Sequence, residues 1–159
     1  MLYFKIKLKD TKINYKKMIS KEAQKSIKRF KRASSFIGLL YKSPKEMTSG
    51  RMKIGRWFNN LQGTVFPKVK GTTKEVIYLD DIRSFKISTP NSDPERILLY
   101  FHGGGYSLGS PESHYALASY LADITKTVVY VPDYRLGPEY KFPAQLEDGI
   151  KSYKFLIDE

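Results

Sequence analysis

The residues with the clearest chemical potential are His102-Gly103-Gly104-Gly105-Tyr106, directly after the apolar run RILLYF at 96–101. Three successive glycines cost backbone entropy in a folded chain. They make sense where N–H groups must approach a ligand without obstruction by a Cβ. In acyl transfer that ligand is the oxyanion of the tetrahedral intermediate, and one fixed donor there contributes roughly 2.7–4 kcal/mol. A flexible turn or a phosphate-cradling loop would use the same glycines.

A second motif narrows the choice. Residues 132–148 read PDYRLGPEYKFPAQLED. A strand, HGGGY followed by Gly109-Ser110, a helix, a strand and then this segment resembles, in order and spacing, the hormone-sensitive-lipase group of α/β-hydrolase esterases over about residues 95–156. The resemblance implies that Gly104 and Gly105 present the two N–H donors of an oxyanion hole. It implies that His102 and Gly103 support the loop and that Tyr106 lines an acyl pocket. Asp133, Tyr134, Arg135 and Glu139 would be structural, in an Arg–carboxylate network that holds the turn after the strand. Gly137 replaces the alanine usual in that family.

One motif is a decoy. Gly105-Tyr106-Ser107-Leu108-Gly109 satisfies G-x-S-x-G, but a nucleophile elbow must be followed by an acid and then a histidine. After Ser107 only His114 remains, seven residues on, with Glu112 alone between them. That spacing cannot close a triad across a sheet. The 159 residues therefore carry an oxyanion loop without nucleophile, acid or base. The expectation is the N-terminal part of a carboxylic-ester hydrolase, inactive alone.

These residues need elements to position them. Glu75–Leu79 and Ser84–Ser88 read as an antiparallel strand pair around Asp80-Asp81, and Thr89–Pro94 reads as a loop. Arg96–Phe101 is apolar enough for a doubly covered strand. Glu112–Thr125 reads as a helix and Thr127–Val131 as a strand parallel to 96–101. A last helix opens at Pro143, with Leu146, Ile150, Tyr153 and Phe155 apolar. The fold class is α/β, an incomplete α/β-hydrolase fold with a mixed, mostly parallel sheet. In the sheet order 1-2-4-3-5 that the resemblance implies, strand 96–101 is left at an edge.

Upstream, residues 2–8 alternate as a strand and residues 16–41 read as a basic helix. Met52–Leu61 reads as a second short helix anchored by Trp57 and Phe58, and Gly63 to Gly71 as a loop. Composition divides the chain into a basic, cap-like segment at 1–71 and a hydrolase core at 72–159. The first holds 19 Lys/Arg against 3 Asp/Glu, the second 9 against 13, so +16 and −4 make up the net +12.

Such basicity suits a solvated face or an anionic membrane surface. Nucleic acid is disfavoured because no recognition motif accompanies the charge. No cysteine is present, which removes disulfides and thiolate metal sites. The two histidines form no metal-ligand constellation, and acyl transfer by this machinery needs no organic cofactor. Without a signal peptide or an apolar run long enough to span a bilayer, the expectation is a cytoplasmic protein, with peripheral membrane contact as a variant. The competing readings are a non-catalytic protein that lays its basic helix on anionic lipid, and an inert remnant of an interrupted esterase gene.

Overall fold

The computed structural model describes residues 20–25, 27–28, 31 and 48–158. The strand expected at 2–8 and most of the helix expected at 16–41 lie outside them. Two compact units are distinguished, residues 1–42 and 43–159. In the first, residues 21–25, 27–28 and 31 are helical. Ser20 caps that helix, its Oγ accepting from the Ala23 N–H at 3.1 Å.

The second unit contains helix α1 (Ser49–Val65), strands β1 (Thr73–Leu79), β2 (Ile82–Ser88) and β3 (Asp93–Leu99), helix α2 (Pro111–Thr125), strand β4 (Thr127–Pro132) and helix α3 (Ala144–Asp158). The composition changes at 71/72, inside this unit. The sheet order is β1-β2-β4-β3. β1 and β2 form the expected antiparallel hairpin, turning at Asp80-Asp81 with Asp80 at φ 59°. β2 pairs antiparallel with β4, and β3 pairs parallel with β4. The sheet is therefore mixed, with one parallel pair.

Strand β3 departs from its expected limits. It starts at Asp93, inside the stretch read as a loop, because Asp93 pairs with Thr127 before an irregularity that resumes at Ile97 opposite Val128. The insertion holds Pro94, which cannot donate to a ladder and is tolerated at an edge. Burial also differs from that of a doubly covered strand. Ile97 is exposed, while Leu98 and Tyr100 pack on the core. The edge position follows from the sheet order.

Helix α2 covers one face of the sheet. Its Ala118 and Ala122 pack on Phe85 and Ile87 of β2 and Val129 and Val131 of β4. Small residues on the helix let it approach the sheet closely. Ser110 caps it in a reciprocal box with Ser113, Pro111 occupies its first turn, and Lys126 ends it in the left-handed conformation. Helix α3 packs against β1 and β2.

Helix α1 is longer than expected, running into the segment read as a loop, and Trp57 does not anchor it. Met52 is fully buried, whereas Trp57 is 65% exposed. The reason is Gly63. A Cβ there would collide with the Ser113 backbone and sit 2.6 Å from the Glu112 carbonyl. α1 thus meets the start of α2 backbone to backbone at Gly63, where no side chain fits. Asn60 adds a polar tie, its Oδ1 accepting from the Ser110 hydroxyl at 2.6 Å. Among the described residues no helix is long and apolar enough to cross a membrane.

Gly63→Ala is expected to lower stability by about 1–3 kcal/mol, since backbone cannot yield to the added methyl. Gly50→Ala, which meets nothing within 4 Å, is expected to raise stability by about 0.5–1 kcal/mol. Urea unfolding of the two variants checks both, with opposite shifts of the midpoint.

Candidate oxyanion-loop site

The loop from His102 to Gly109 connects β3 to α2, and its path leaves no room for side chains at two points. Gly104 has φ +134°, and a Cβ on it would collide with the Leu108 carbonyl. Gly109 has φ +88°, and a Cβ there would lie 2.6 Å from His102 Nδ1. Both combine a left-handed backbone with a closed space, so only glycine serves.

Hydrogen bonds pin the loop. The N–H groups of Ser107 and Leu108 donate to the Gly104 carbonyl at 3.2 and 2.9 Å. The Gly137 N–H donates to the Tyr106 carbonyl at 2.7 Å, tying the loop to the segment after β4. Tyr106 itself has φ 57°, a conformation costly for a non-glycine residue and held by this surrounding structure. Among the described residues, neither the Gly104 nor the Gly105 N–H donates to a backbone carbonyl.

His102 is buried beneath the loop. Its Nδ1 lies 3.1 Å from the Gly103 carbonyl, which can only accept, so Nδ1 carries the hydrogen. Nε2 is then a bare acceptor, buried with no partner among the described residues. The ring stacks on Tyr134 at 4.3 Å and lies 5.5 Å from His114. The Tyr134 hydroxyl donates to the His102 carbonyl at 2.6 Å. Burial depresses the His102 pKa to about 4 and pushes the Tyr134 phenol up to about 12. A neutral imidazole at this place is a packing and hydrogen-bonding group.

The loop borders an open cleft of about 960 Å³. Aromatic side chains dominate the walls, including Phe101, Tyr106, Tyr134, Tyr140 and Phe142. Leu146, Ile150 and Tyr153 of α3 add to them. Among the described residues no Asp, Glu, Lys or Arg lines it, so an apolar group enters without desolvating one of their charges.

The motif residues Asp133, Arg135 and Glu139 do not pair with one another; each holds a separate joint. The Arg135 side chain donates to Asp148 from Nε at 2.9 Å and from Nη2 at 2.6 Å, and its backbone N–H donates to Asp148 at 2.8 Å. Asp148 is buried, and the pair pins the first turns of α3. Bonding to Asp148 raises the Arg135 pKa further above its ordinary value. Asp133 accepts from Arg83 at 2.9 Å, and Arg83 also binds Glu112 at the start of α2. Burial and the neighbouring Glu112 raise the Asp133 pKa despite Arg83. Glu139 takes two bonds from Arg56, at 3.0 and 2.8 Å, which hold its pKa down at about 2.

Arg56 is the residue that sequence reasoning missed. It donates to Glu139, to the Gly137 carbonyl at 2.6 Å and to the Ser107 carbonyl at 2.9 Å. It thereby joins α1, the glycine-rich loop and the post-β4 segment. One arginine among the 19 basic residues of the N-terminal segment carries no signal of its own. Asp148 had a signal, the closing Asp of the second motif, opposite Arg135 on the expected helix.

Ser107 lies in the loop without a triad around it. Its backbone bonds to Gly104 and Arg56, and among the described residues no histidine hydrogen-bonds its hydroxyl.

Comparison with known proteins agrees with this architecture. A family model described as an α/β-hydrolase fold matches residues 98–159. A solved esterase of the bacterial hormone-sensitive-lipase family superposes with a TM-score of 0.66 at 26% identity, over 80% of this chain and 42% of that one. The chain is similar in sequence and fold to α/β hydrolases of the hormone-sensitive-lipase type. A hormone-sensitive lipase from a metagenome library gives a TM-score of 0.64 at 29% identity, over 79% and 42% of the two chains. Among curated relatives, an acetyl-hydrolase of Streptomyces hygroscopicus is 44% identical over 70 residues, covering 44% of this chain and 23% of that protein. Human arylacetamide deacetylase-like 2 is 34% identical over 91 residues, covering 55% and 23%. The chain spans about a quarter of these curated relatives and about two fifths of the solved hydrolases. It corresponds in sequence and fold to part of each of them.

Two predictions follow from these contacts. Because the folded His102 pKa is depressed, the unfolded chain binds more protons below the ordinary value of 6.5. The stability due to a neutral His102 is thus full above pH 6.5 and is lost as pH falls towards 4. Urea midpoints are expected to fall over that window, and less steeply in His102→Gln. Arg56→Lys removes the forked donor and is expected to cost about 1–2 kcal/mol in the same assay at pH 7.

Proposed function

We propose that this chain supplies the oxyanion-hole loop of a carboxylic-ester hydrolase, with Gly104 and Gly105 presenting N–H donors to the tetrahedral intermediate. The observation that carries the reading is the contrast within the loop. Leu108, Ser107 and Gly137 spend their N–H groups on holding it in shape, while among the described residues those of Gly104 and Gly105 donate to no backbone carbonyl. Donors fixed before the reaction cost no reorganisation when the negative charge develops. His102 and Gly103 support the loop from beneath, and Tyr106 stands at the cleft as one wall of an acyl pocket.

The substrate class is a small or medium acyl ester. The uncharged aromatic cleft and the relatives named acetyl-hydrolase and ethyl acetate hydrolase support this. Residues 1–71 form the cap-like segment of our reading, and the protein works in the cytoplasm. The nucleophile, acid and base must come from residues other than these 159, because no His after Ser107 is placed to serve a triad.

Purified free of host esterases, the 159-residue chain is expected to leave p-nitrophenyl butyrate untouched. Joined to a segment that carries the G-x-S-x-G elbow, acid and histidine of a hormone-sensitive-lipase-type esterase, it is expected to turn over. Gly104→Ala should then lower kcat by roughly 10²–10³. Turnover by the chain alone that vanishes in Gly104→Ala, or an assembled, co-eluting pair without activity, would contradict the proposal.

A further inference from the structure

Helix α1 carries four bulky apolar residues on its outside. Its buried face consists of Met52, Gly55 and Gly63. On the opposite side Ile54, Trp57, Leu61 and Val65 recur at steps of three and four, forming one stripe along the helix. They are 61, 65, 48 and 79% exposed, and Phe66 continues the stripe at 49%. The helix cannot be turned over to bury them, because the Gly63 contact with α2 admits no side chain. None of these residues lines the cleft, so ester binding does not account for them.

The charge around the stripe selects its occupant. Residues 48–71 contain no Asp or Glu. Lys53 and Lys70 are exposed beside it, and Lys68 sits at its end, close to the Thr64 and Phe66 carbonyls. An apolar stripe with an aromatic anchor and a cationic border matches a bilayer surface rich in anionic lipid, where apolar insertion and headgroup attraction add together. The alternative cover within the chain, residues 1–42, carries 13 Lys/Arg and 2 Asp/Glu and would add like charge to like. A second copy would do the same.

We propose that the outer face of α1, from Ile54 to Phe66, is an interfacial docking surface for anionic lipid. It holds the hydrolase portion at a membrane surface by partial insertion of Trp57 and its neighbours. The inference does not depend on the ester-hydrolase reading, and it concerns a different element from the basic helix at 16–41.

The chain's single tryptophan is Trp57, so its fluorescence reports this surface alone. The full chain is titrated with vesicles of phosphatidylcholine and of phosphatidylcholine with phosphatidylglycerol. With the anionic vesicles at low salt, Trp57 emission is expected to shift to the blue and become shielded from acrylamide. High salt should reverse both effects. Neutral vesicles should leave the emission unchanged. Ile54→Gln/Leu61→Gln, at exposed positions that tolerate glutamine in a helix, should raise the lipid concentration for half-binding by about tenfold. Its far-UV circular dichroism should be unchanged.

Four outcomes overturn the proposal. Binding to anionic vesicles with Trp57 still open to acrylamide assigns the contact to residues 1–42. Shielding of Trp57 without lipid assigns the stripe to another part of the chain, or to a second copy if it grows with protein concentration. Equal binding to neutral vesicles removes the charge selection. Absence of binding removes the docking surface.

Discussion

Backbone packs against backbone in the loop from His102 to Gly109, and this closeness governs the site around it. Gly104 runs against the Leu108 carbonyl and Gly109 against the His102 ring and the Gly103 carbonyl. A loop this tight uses its own carbonyls to bond its own N–H groups at Ser107 and Leu108. Among the described residues the Gly104 and Gly105 N–H groups donate to no backbone carbonyl. The buried His102 ring fills the space beneath, kept neutral by the same burial that closes it off from water. Every other element acts as a brace: β3 delivers the chain into the loop, Ser110 turns it into α2, and Gly137 draws it towards β4.

Three arginines carry the tension between these parts. Arg83 bridges β2, the end of β4 and the start of α2. Arg135 locks the post-β4 turn to α3 through Asp148. Arg56 reaches from α1 to the loop and to Glu139. Partly buried, forked arginine contacts have geometric specificity that a lysine lacks. The three joints are separate, so the loop is held from several sides and does not rest on one network.

The site was legible in the sequence to the extent that its chemistry is local. HGGGY marks a tight glycine loop, whose use the second motif at 132–148 narrows, and the order of strands and helices in 72–159 followed from periodicity and caps. The hairpin at Asp80-Asp81 and the pairing of β3 with β4 read correctly for that reason. Non-local contacts were opaque. The start of β3 was hidden by Pro94, a loop signal that an edge irregularity accommodates. Trp57 looked like an anchor because large apolar side chains usually point inward, yet the close crossing at Gly63 turns the face of Met52, Gly55 and Gly63 inward instead. Arg56 was invisible because its partners lie 51 to 83 positions away.

Amide hydrogen exchange, resolved by residue with NMR, tests the central claim most directly. The account predicts slow exchange at Leu108 and Gly137, whose N–H groups hold the loop, beside fast exchange at Gly104 and Gly105, whose N–H groups have no backbone acceptor among the described residues. Uniformly fast exchange from Gly103 to Gly109 would show that the loop is not preformed. Protection at Gly104 and Gly105 would show that their donors are already taken. Either result would contradict a loop held ready for an oxyanion.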